Sequence, residues 1–241
     1  MCGRFVSATP AAQIADFFEA GPPDLELPVS FNVAPTAEVY VVGEGSGGRS
    51  MRVMHWGLVP PWSKDTTGAS RLINARSETV AEKPSFRSAF RRRRCIMPVD
   101  GFYEWTTTPG ALRKQPVFIH STDGAPLALA ALWEFWQPAD ADQADVGLFS
   151  SCIITCPANS AISKVHDRMP VILRRQDWDL WMTGASDSSE LSALMAPAPA
   201  DALEFHPVST DVNSARNNGE HLIEPIDPEP LGEVPGQGTL L

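Results

Sequence analysis

Short apolar runs, separated by polar stretches with Gly, Pro and Asp, recur along most of this chain and predict strands. Segments 39–42 and 51–56 flank a Gly-rich turn at 43–48 and read together as a hairpin over 39–56. Segments 95–99, 102–105, 117–120, 127–136, 148–155 and 171–173 predict further strands, and Asp100-Gly101 is a turn signal between two of them. Helical spacing is rarer. Thr9-Pro10 followed by residues 11–18 reads as a cap, a proline in the first turn and an amphipathic helix, which Gly21-Pro22-Pro23 stops. Segments 159–165, 176–182 and 188–195 predict helices, 86–94 a short helix running into the strand at 95, and 77–79 a helix start. Residues 31–36, 63–70 and 138–145 read as loops, and 57–62 as a loop stiffened by Pro60 and Pro61. Short strands in hairpin-like succession with a few helices between them predict an α+β fold. It is one domain over 2–225, built on an antiparallel, partly barrel-like sheet. The Pro/Glu/Gly-rich residues 226–241 read as a flexible tail.

Charge changes the picture locally. The 241 residues carry a net charge of −10, yet 176–241 alone hold twelve acids against one Arg, so the first 175 residues stand at +1. Within them, Arg76, Lys83, Arg87, Arg91, Arg92, Arg93 and Arg94 face only Glu78 and Glu82, a basic block of +5. An acidic chain does not bind polyanions indiscriminately, but such a block can act at one site. Residues 91–94 either extend a phosphate track or form a solvated helix face. The four cysteines, Cys2, Cys95, Cys152 and Cys156, have no metal-ligand spacing. Together with the lack of a leader segment or a run of 18 apolar residues, they point to a soluble protein of a reducing, cytoplasmic compartment. No metal or organic cofactor is called for.

The candidate chemistry begins at Cys2. Removal of Met1 leaves a thiol and a free α-amine on one residue, with unperturbed pKa values of about 8.5 and about 8. Such a 1,2-aminothiol condenses with an aldehyde to a Schiff base, and the thiol then closes on the imine carbon as a five-membered thiazolidine. The thiol is already adjacent to the imine, which makes the closure fast. The same residue also fits an N-terminal-nucleophile amidohydrolase, or an ordinary chain end. Three more places put polar groups beside apolar runs: Asn74 with Arg76, Glu104 between aromatics, and His166-Asp167-Arg168 before an apolar segment. Taken singly, each has a plainer role. Asn74 suits a turn, Glu104 the outer face of an edge strand, and His166 a helix C-terminus.

Their order along the chain is more specific. Cys2-Gly3-Arg4-Phe5, Asn32-Val33-Ala34-Pro35-Thr36, Trp56-Gly57-Leu58-Val59-Pro60-Pro61-Trp62, Asn74-Ala75-Arg76-Ser77-Glu78-Thr79, Arg94-Cys95-Ile96-Met97-Pro98, Gly101-Phe102-Tyr103-Glu104-Trp105 and His166-Asp167-Arg168-Met169-Pro170 follow one another. This series resembles the SOS response-associated peptidase (SRAP) family, whose members sense abasic sites in single-stranded DNA. Glutamine amidotransferases share only Met1-Cys2-Gly3. The resemblance implies a thiazolidine crosslink from Cys2 to the abasic sugar, with Asn74, Glu104 and His166 as active-site partners. It also fits Arg4, Arg76 and Arg168 as phosphate ligands, and Pro35 and Trp62 as a wedge beside the missing base. Trp56 reads as core. The alternative activities are a cysteine-type peptidase acting on its own N-terminus, a weak abasic-site lyase, and a non-catalytic single-strand binder. In the tail, Gln237, Leu240 and Leu241 have the spacing of short peptides that bind bacterial replication clamps.

Overall fold

In the computed structural model, residues 2–107, 114–138, 147–183 and 188–227 are described. Residues 228–241 of the tail, with Gln237, Leu240 and Leu241, lie outside them, as do 139–145 of the loop expected at 138–145. Two β-sheets carry the fold. The first has five strands in the order β12-β8-β7-β1-β2, comprising β1 (Phe5–Ser7), β2 (Ser30–Val33), β7 (Gly101–Thr106), β8 (Gln115–Ser121) and β12 (Leu203–Pro207). The second contains β3 (Glu38–Gly45), β4 (Gly48–Trp56), β6 (Arg94–Val99), β9 (Leu127–Trp136) and β10 (Leu148–Pro157), with β5 (Asn74–Arg76) and β11 (Arg168–Pro170) added to β10.

The second sheet closes on itself. β4 pairs with β3, β3 with β6, β6 with β9, β9 with β10, and β10 returns to β4. The last step is parallel and the others antiparallel, so the ring is uneven and only partly a barrel. β10 is its hub. One edge takes β4 at Ser150 and Ser151 and then β5 at 153–155, both parallel. The other edge takes β9 at 148–153 and then β11 at 155–157, both antiparallel.

The shortest of the links between the two sheets is a single residue. β6 belongs to the ring and β7 to the five-stranded sheet, so the chain changes sheets at Asp100. Asp100 Oδ2 accepts the amides of Ala8 (2.5 Å) and Thr9 (3.0 Å), and its other oxygen takes the Thr9 hydroxyl. Thr9 therefore braces this corner and does not cap the helix after it. Gly101 has no room for a side chain, because a Cβ would stand 2.5 Å from the Phe118 ring. Alternation then sorts the residues of the five-stranded sheet. Phe5, Phe102 and Ile119 join the main core, while Val6, Tyr103 and Phe118 pack on the other face with Val208, Val212 and Leu222.

The hairpin is present over 38–56, and its first strand is buried on both faces over 39–42. α1 (Ala11–Phe18) buries Ile14, Ala15 and Phe18 and ends one turn before the prolines, at a left-handed Glu19 (φ 53°). α2 (Arg87–Arg92) precedes β6, and α3 (Trp178–Thr183) and α4 (Ser188–Leu194) are the two expected late helices. Other expectations need correction. Residues 30–33, read as partly loop, form β2, and 203–207 form β12. Asn74–Arg76 is a strand and no helix starts at 77–79. The strand expected at 171–173 is β11 at Arg168–Pro170, and 159–165 shorten to a 3-10 turn at Ile162–Lys164. All four cysteines are buried free thiols. Among the described residues no helix is long and apolar enough to cross a membrane.

Candidate functional site

The site forms where the two sheets face each other. Arg4 continues β1 toward β7, accepting the Tyr103 amide at its carbonyl (2.9 Å). This brings the chain end to the strand that carries Glu104. Cys2, fully buried, is then caught from the other sheet: Asn74 Nδ2 donates to the Cys2 carbonyl at 2.7 Å. Asn74 is itself fixed by β5 pairing with β10 and by Trp56, whose indole Nε1 donates to the Ile73 carbonyl at 3.1 Å. Trp56 is core, ring to ring with Phe5 at 4.8 Å. The Asn74 Oδ1 is buried without a hydrogen-bond partner among the described residues. Such an orphan acceptor carries a penalty that an incoming N–H or O–H would remove.

Glu104 lies on the inner face of β7 with 4% of its side chain exposed, and its Oε2 is 4.0 Å from His166 Nε2. Burial pushes its carboxyl above the usual range, and the His166 ring charge opposes the shift. The same burial, with the nearby Glu104 charge, pushes the Cys2 thiol well up. His166 stands between the 3-10 turn at Ile162–Lys164 and β11. Its Nδ1 has the Arg168 amide at 3.0 Å and Asp167 Oδ1 at 2.9 Å, so Nε2 is the nitrogen turned toward Glu104. Asn74, Glu104 and His166, far apart in sequence, thus meet around Cys2.

The arginines differ from one another. Arg76, at the end of β5, is exposed. Arg4 is half-buried, with Nη1 donating to Asn32 Oδ1 (2.7 Å) and to the Val212 carbonyl (2.8 Å). Arg168 is buried, and four of its five N–H donors are spent. Nη1 and Nη2 form a fork on Glu78 (2.7 and 2.9 Å), Nη2 also reaches the Thr155 carbonyl (2.6 Å), and Nε the Thr155 hydroxyl (3.3 Å). In return, the Arg168 guanidinium holds the Glu78 carboxyl down at about 2. The basic block also divides. Arg93 pairs with Glu134 at 2.6 Å, Arg94 is buried against the Trp181 carbonyl, and Arg87, Arg91 and Arg92 are exposed.

Trp62 is 65% exposed. Its loop is pinned on both sides: Val59 N donates to Ser150 Oγ at 2.9 Å, and Trp136 Nε1 to the Ser63 carbonyl at 2.7 Å. Gly57 starts the loop at φ 139°, where a Cβ would strike the Ala69 carbonyl. Pro35 is half-buried beside Thr36, whose amide donates to the Trp56 carbonyl. Sequence reasoning missed Glu78 as the partner of Arg168 and Asn32 as the partner of Arg4. Both sit inside motifs read from the chain, but their partners are 90 and 28 residues away.

This is a two-sheet α+β protein whose N-terminal cysteine is seated against a buried carboxylate, an imidazole and an amide. The SOS response associated peptidase (SRAP) family pattern matches residues 1–215, and the chain belongs to that family. It is 37% identical over 228 residues to the abasic site processing protein YoqW of Bacillus subtilis (strain 168), covering 93% of this chain and 99% of that one. It is 31% identical over 233 residues to the abasic site processing protein YedK of Escherichia coli (strain K12), covering 94% and 100%. A crystal structure of a Bacteroides thetaiotaomicron protein superposes with a TM-score of 0.83 at 22% identity, over 93% of this chain and all of that one, a likeness of fold.

Proposed function

We propose that this protein acts on abasic sites in single-stranded DNA, as part of the DNA damage response, and joins itself to them through Cys2 after Met1 is removed. The observation that carries the reading is the seating of Cys2: Asn74 holds its carbonyl beside the buried Glu104 and His166. The names of the relatives above point to the same lesion.

An abasic deoxyribose opens to an aldehyde at C1′. The Cys2 amine adds to C1′, the carbonyl oxygen leaves as water, and an imine remains. The Cys2 S–H then adds across C=N: sulfur bonds to C1′ and the proton ends on nitrogen. No oxidant or metal is consumed. Burial keeps the thiol protonated, so the amine reacts first and the thiol second. Glu104, its carboxyl raised by burial, suits proton exchange with the amine and the departing oxygen. His166 Nε2 protonates the sugar ring oxygen to open the ring, and the Asn74 Oδ1 accepts from the amine or a sugar hydroxyl. Arg76 contacts phosphate from solvent, with Arg4 and Arg168 supporting from within, and Trp62 with Pro35 stacks beside the gap.

A peptidase reading, including cleavage at Met1, needs a thiolate, and burial of Cys2 opposes it. The test mixes the protein with single-stranded DNA bearing one abasic site and looks for a denaturation-resistant adduct. The adduct is expected with Met1 removed and absent when Met1 is retained; normal crosslinking by a Met1-retaining protein overturns the reading. The clamp reading of Gln237, Leu240 and Leu241 is tested by titrating a 228–241 peptide, with and without both leucines, against a bacterial clamp. No binding, or equal binding by both, ends it.

A further inference from the structure

Residues 208–223 cross the face of the five-stranded sheet opposite the main core. Three of their side chains, Val208, Val212 and Leu222, are fully buried there against Val6, Tyr103 and Phe118. Their polar contacts fall on the neighbours of the two groups that do the proposed chemistry. The Val212 carbonyl takes Arg4 Nη1, two residues from Cys2. Asn213 Oδ1 takes the indole N–H of Trp105 at 2.7 Å, while the Tyr103 hydroxyl donates to the Phe31 carbonyl of β2 at 2.8 Å and its ring packs against Val208, Val212 and Leu222, so both residues flanking Glu104 are held.

Asn32 is the knot. It is 4% exposed; its Oδ1 accepts from Arg4, and its Nδ2 faces the carbonyls of Val212 (3.3 Å), Ser214 (2.9 Å) and Asn217 (2.9 Å). Two N–H groups shared among three carbonyls, 180 to 185 residues away, tie β2 to this segment at the point where Arg4 arrives. An ion-pairing Arg needs no such cradle. The arrangement makes Arg4 a tether whose far end is the chain end.

We propose that residues 208–223 are a strap that positions the reacting groups, with Asn32 and Asn213 as positioning residues that hold the Cys2 end of β1 and the Glu104 stretch of β7 in register. The strap grips both strands from behind the sheet. Cys2 and Glu104 therefore stay aligned once Met1 is gone and the chain ends at the reacting residue. A displacement of about 1 Å at a reacting group costs up to about a hundredfold in rate, so loosening either grip is read in the chemical step. The proposal rests on the crosslinking reading above and adds to it a part of the chain that carries no reactive group of its own.

Full-length protein with Met1 removed is assayed by single-turnover crosslinking to a single-stranded oligonucleotide with one abasic site. The DNA range separates the maximal rate from the half-saturating concentration. Asn213→Ala, which hands the Trp105 N–H to water and releases the indole from the strap, is expected to lower the maximal rate about fivefold with half-saturation unchanged. Asn213→Asp keeps an acceptor for that N–H and is expected to stay within about twofold of wild type. Asn32→Asp, which turns the Nδ2 donor into an oxygen facing three carbonyls, is expected to lose about tenfold or more. If Asn32→Asp does not fold, the Asn213 pair decides alone. Asn213→Ala at the wild-type rate, or Asn213→Asp no better than Asn213→Ala, overturns the strap while wild-type crosslinking stands. A wild-type protein that forms no adduct overturns the underlying reading and the strap with it.

Discussion

Glu104 Oε2 and His166 Nε2 face each other at 4.0 Å across the join between the two sheets, one side chain 4% exposed and the other 27%. The gap is too long for a hydrogen bond and short enough for strong electrostatic coupling. Glu104 comes from β7 of the five-stranded sheet and His166 from the turn that leads into β11 of the ring, so the pair reports on how the two are docked.

Burial raises the Glu104 carboxyl above its unfolded value, with His166, Asp167 and Cys2 the ionisable side chains that face it. A raised carboxyl contributes stability that is fully present below about pH 4 and is lost as pH rises through the folded pKa. Glu104→Gln removes that loss. Its melting temperature is expected to exceed wild type at about pH 8, by about 2–4 °C per kcal/mol recovered, and to match it near pH 4. Its crosslinking rate is expected to fall about a hundredfold or more. A variant that is less stable than wild type at the higher pH would show that the buried carboxylate is not the cost.

Arg168 and Glu78 behave in the opposite sense. Glu78 is held at about 2, so its contribution is present above its unfolded pKa of about 4.3 and is lost as pH falls through about 2. Arg168→Ala is expected to cost about 1–3 kcal/mol in urea unfolding, less than a fully buried pair because Glu78 is 45% exposed. Glu78→Gln is expected to be weaker than wild type at neutral pH and to converge with it in acid. The salt dependence of DNA binding separates roles. Arg76→Ala is expected to flatten the log–log slope by about 0.7, and Arg168→Ala by less than half as much. Equal flattening by both would restore Arg168 to a full phosphate ligand.

The contrast between these residues shows what a sequence carries. The hairpin over 38–56 was legible because 39–42 is a short continuous apolar run, buried throughout, and 51–56 an apolar run broken by Arg52 and His55, with a Gly-rich turn between them. β1, β2 and β5 have three or four residues each, and their partners lie 23 to 97 positions away, too few repeats for a period to emerge. The helix expected at 77–79 failed for the same reason: Ser77-Glu78-Thr79 have cap chemistry, but Glu78 is engaged by Arg168. In the site, Cys2, Asn74, Glu104 and His166 were picked out as polar residues set among apolar ones and by their order. The structure brings those four together. Whether Arg4, Arg76 or Arg168 faces water was not legible, since an arginine's burial depends on the one acceptor that meets it. Residues 208–223 gave no signal, because a polar segment rich in Asn and Ser looks like any loop until its partners are placed, and Asn32, though inside a motif, did not reveal what it binds.

Asn74 combines a donor at work with an acceptor in waiting. Asn74→Asp turns the Nδ2 group into a second oxygen against the Cys2 carbonyl, replacing a 2.7 Å hydrogen bond with repulsion. Crosslinking is expected to slow about 10- to 100-fold, while binding to undamaged single-stranded DNA stays near wild type, since no phosphate contact is removed. Parallel losses in both assays would place Asn74 in binding and not at Cys2.

Trp62 and Trp56 bracket the same loop and should respond in opposite ways. Trp56 is fully buried, packed at a tilt against Phe5 and bonded to the Ile73 carbonyl, so Trp56→Ala is expected to cost about 3–5 kcal/mol of stability. Trp62 is 65% exposed at the tip of a loop whose two sides are pinned by Ser150 and Trp136. Nothing in the protein buries its ring, and the pinned loop keeps it there, which lowers the entropy lost when a base stacks on it. Trp62→Ala is therefore expected to leave the melting temperature within about 1–2 °C of wild type. Its affinity for abasic single-stranded DNA should fall by the worth of one stacked base, about 1–3 kcal/mol or roughly 5- to 150-fold. Trp62→Phe keeps a ring and should recover most of the loss. The measurement is fluorescence anisotropy with Cys2→Ala in both backgrounds, so that crosslinking does not pull the equilibrium. Unchanged affinity in Trp62→Ala would remove the wedge and leave Arg76 as the solvent-facing contact still to be tested.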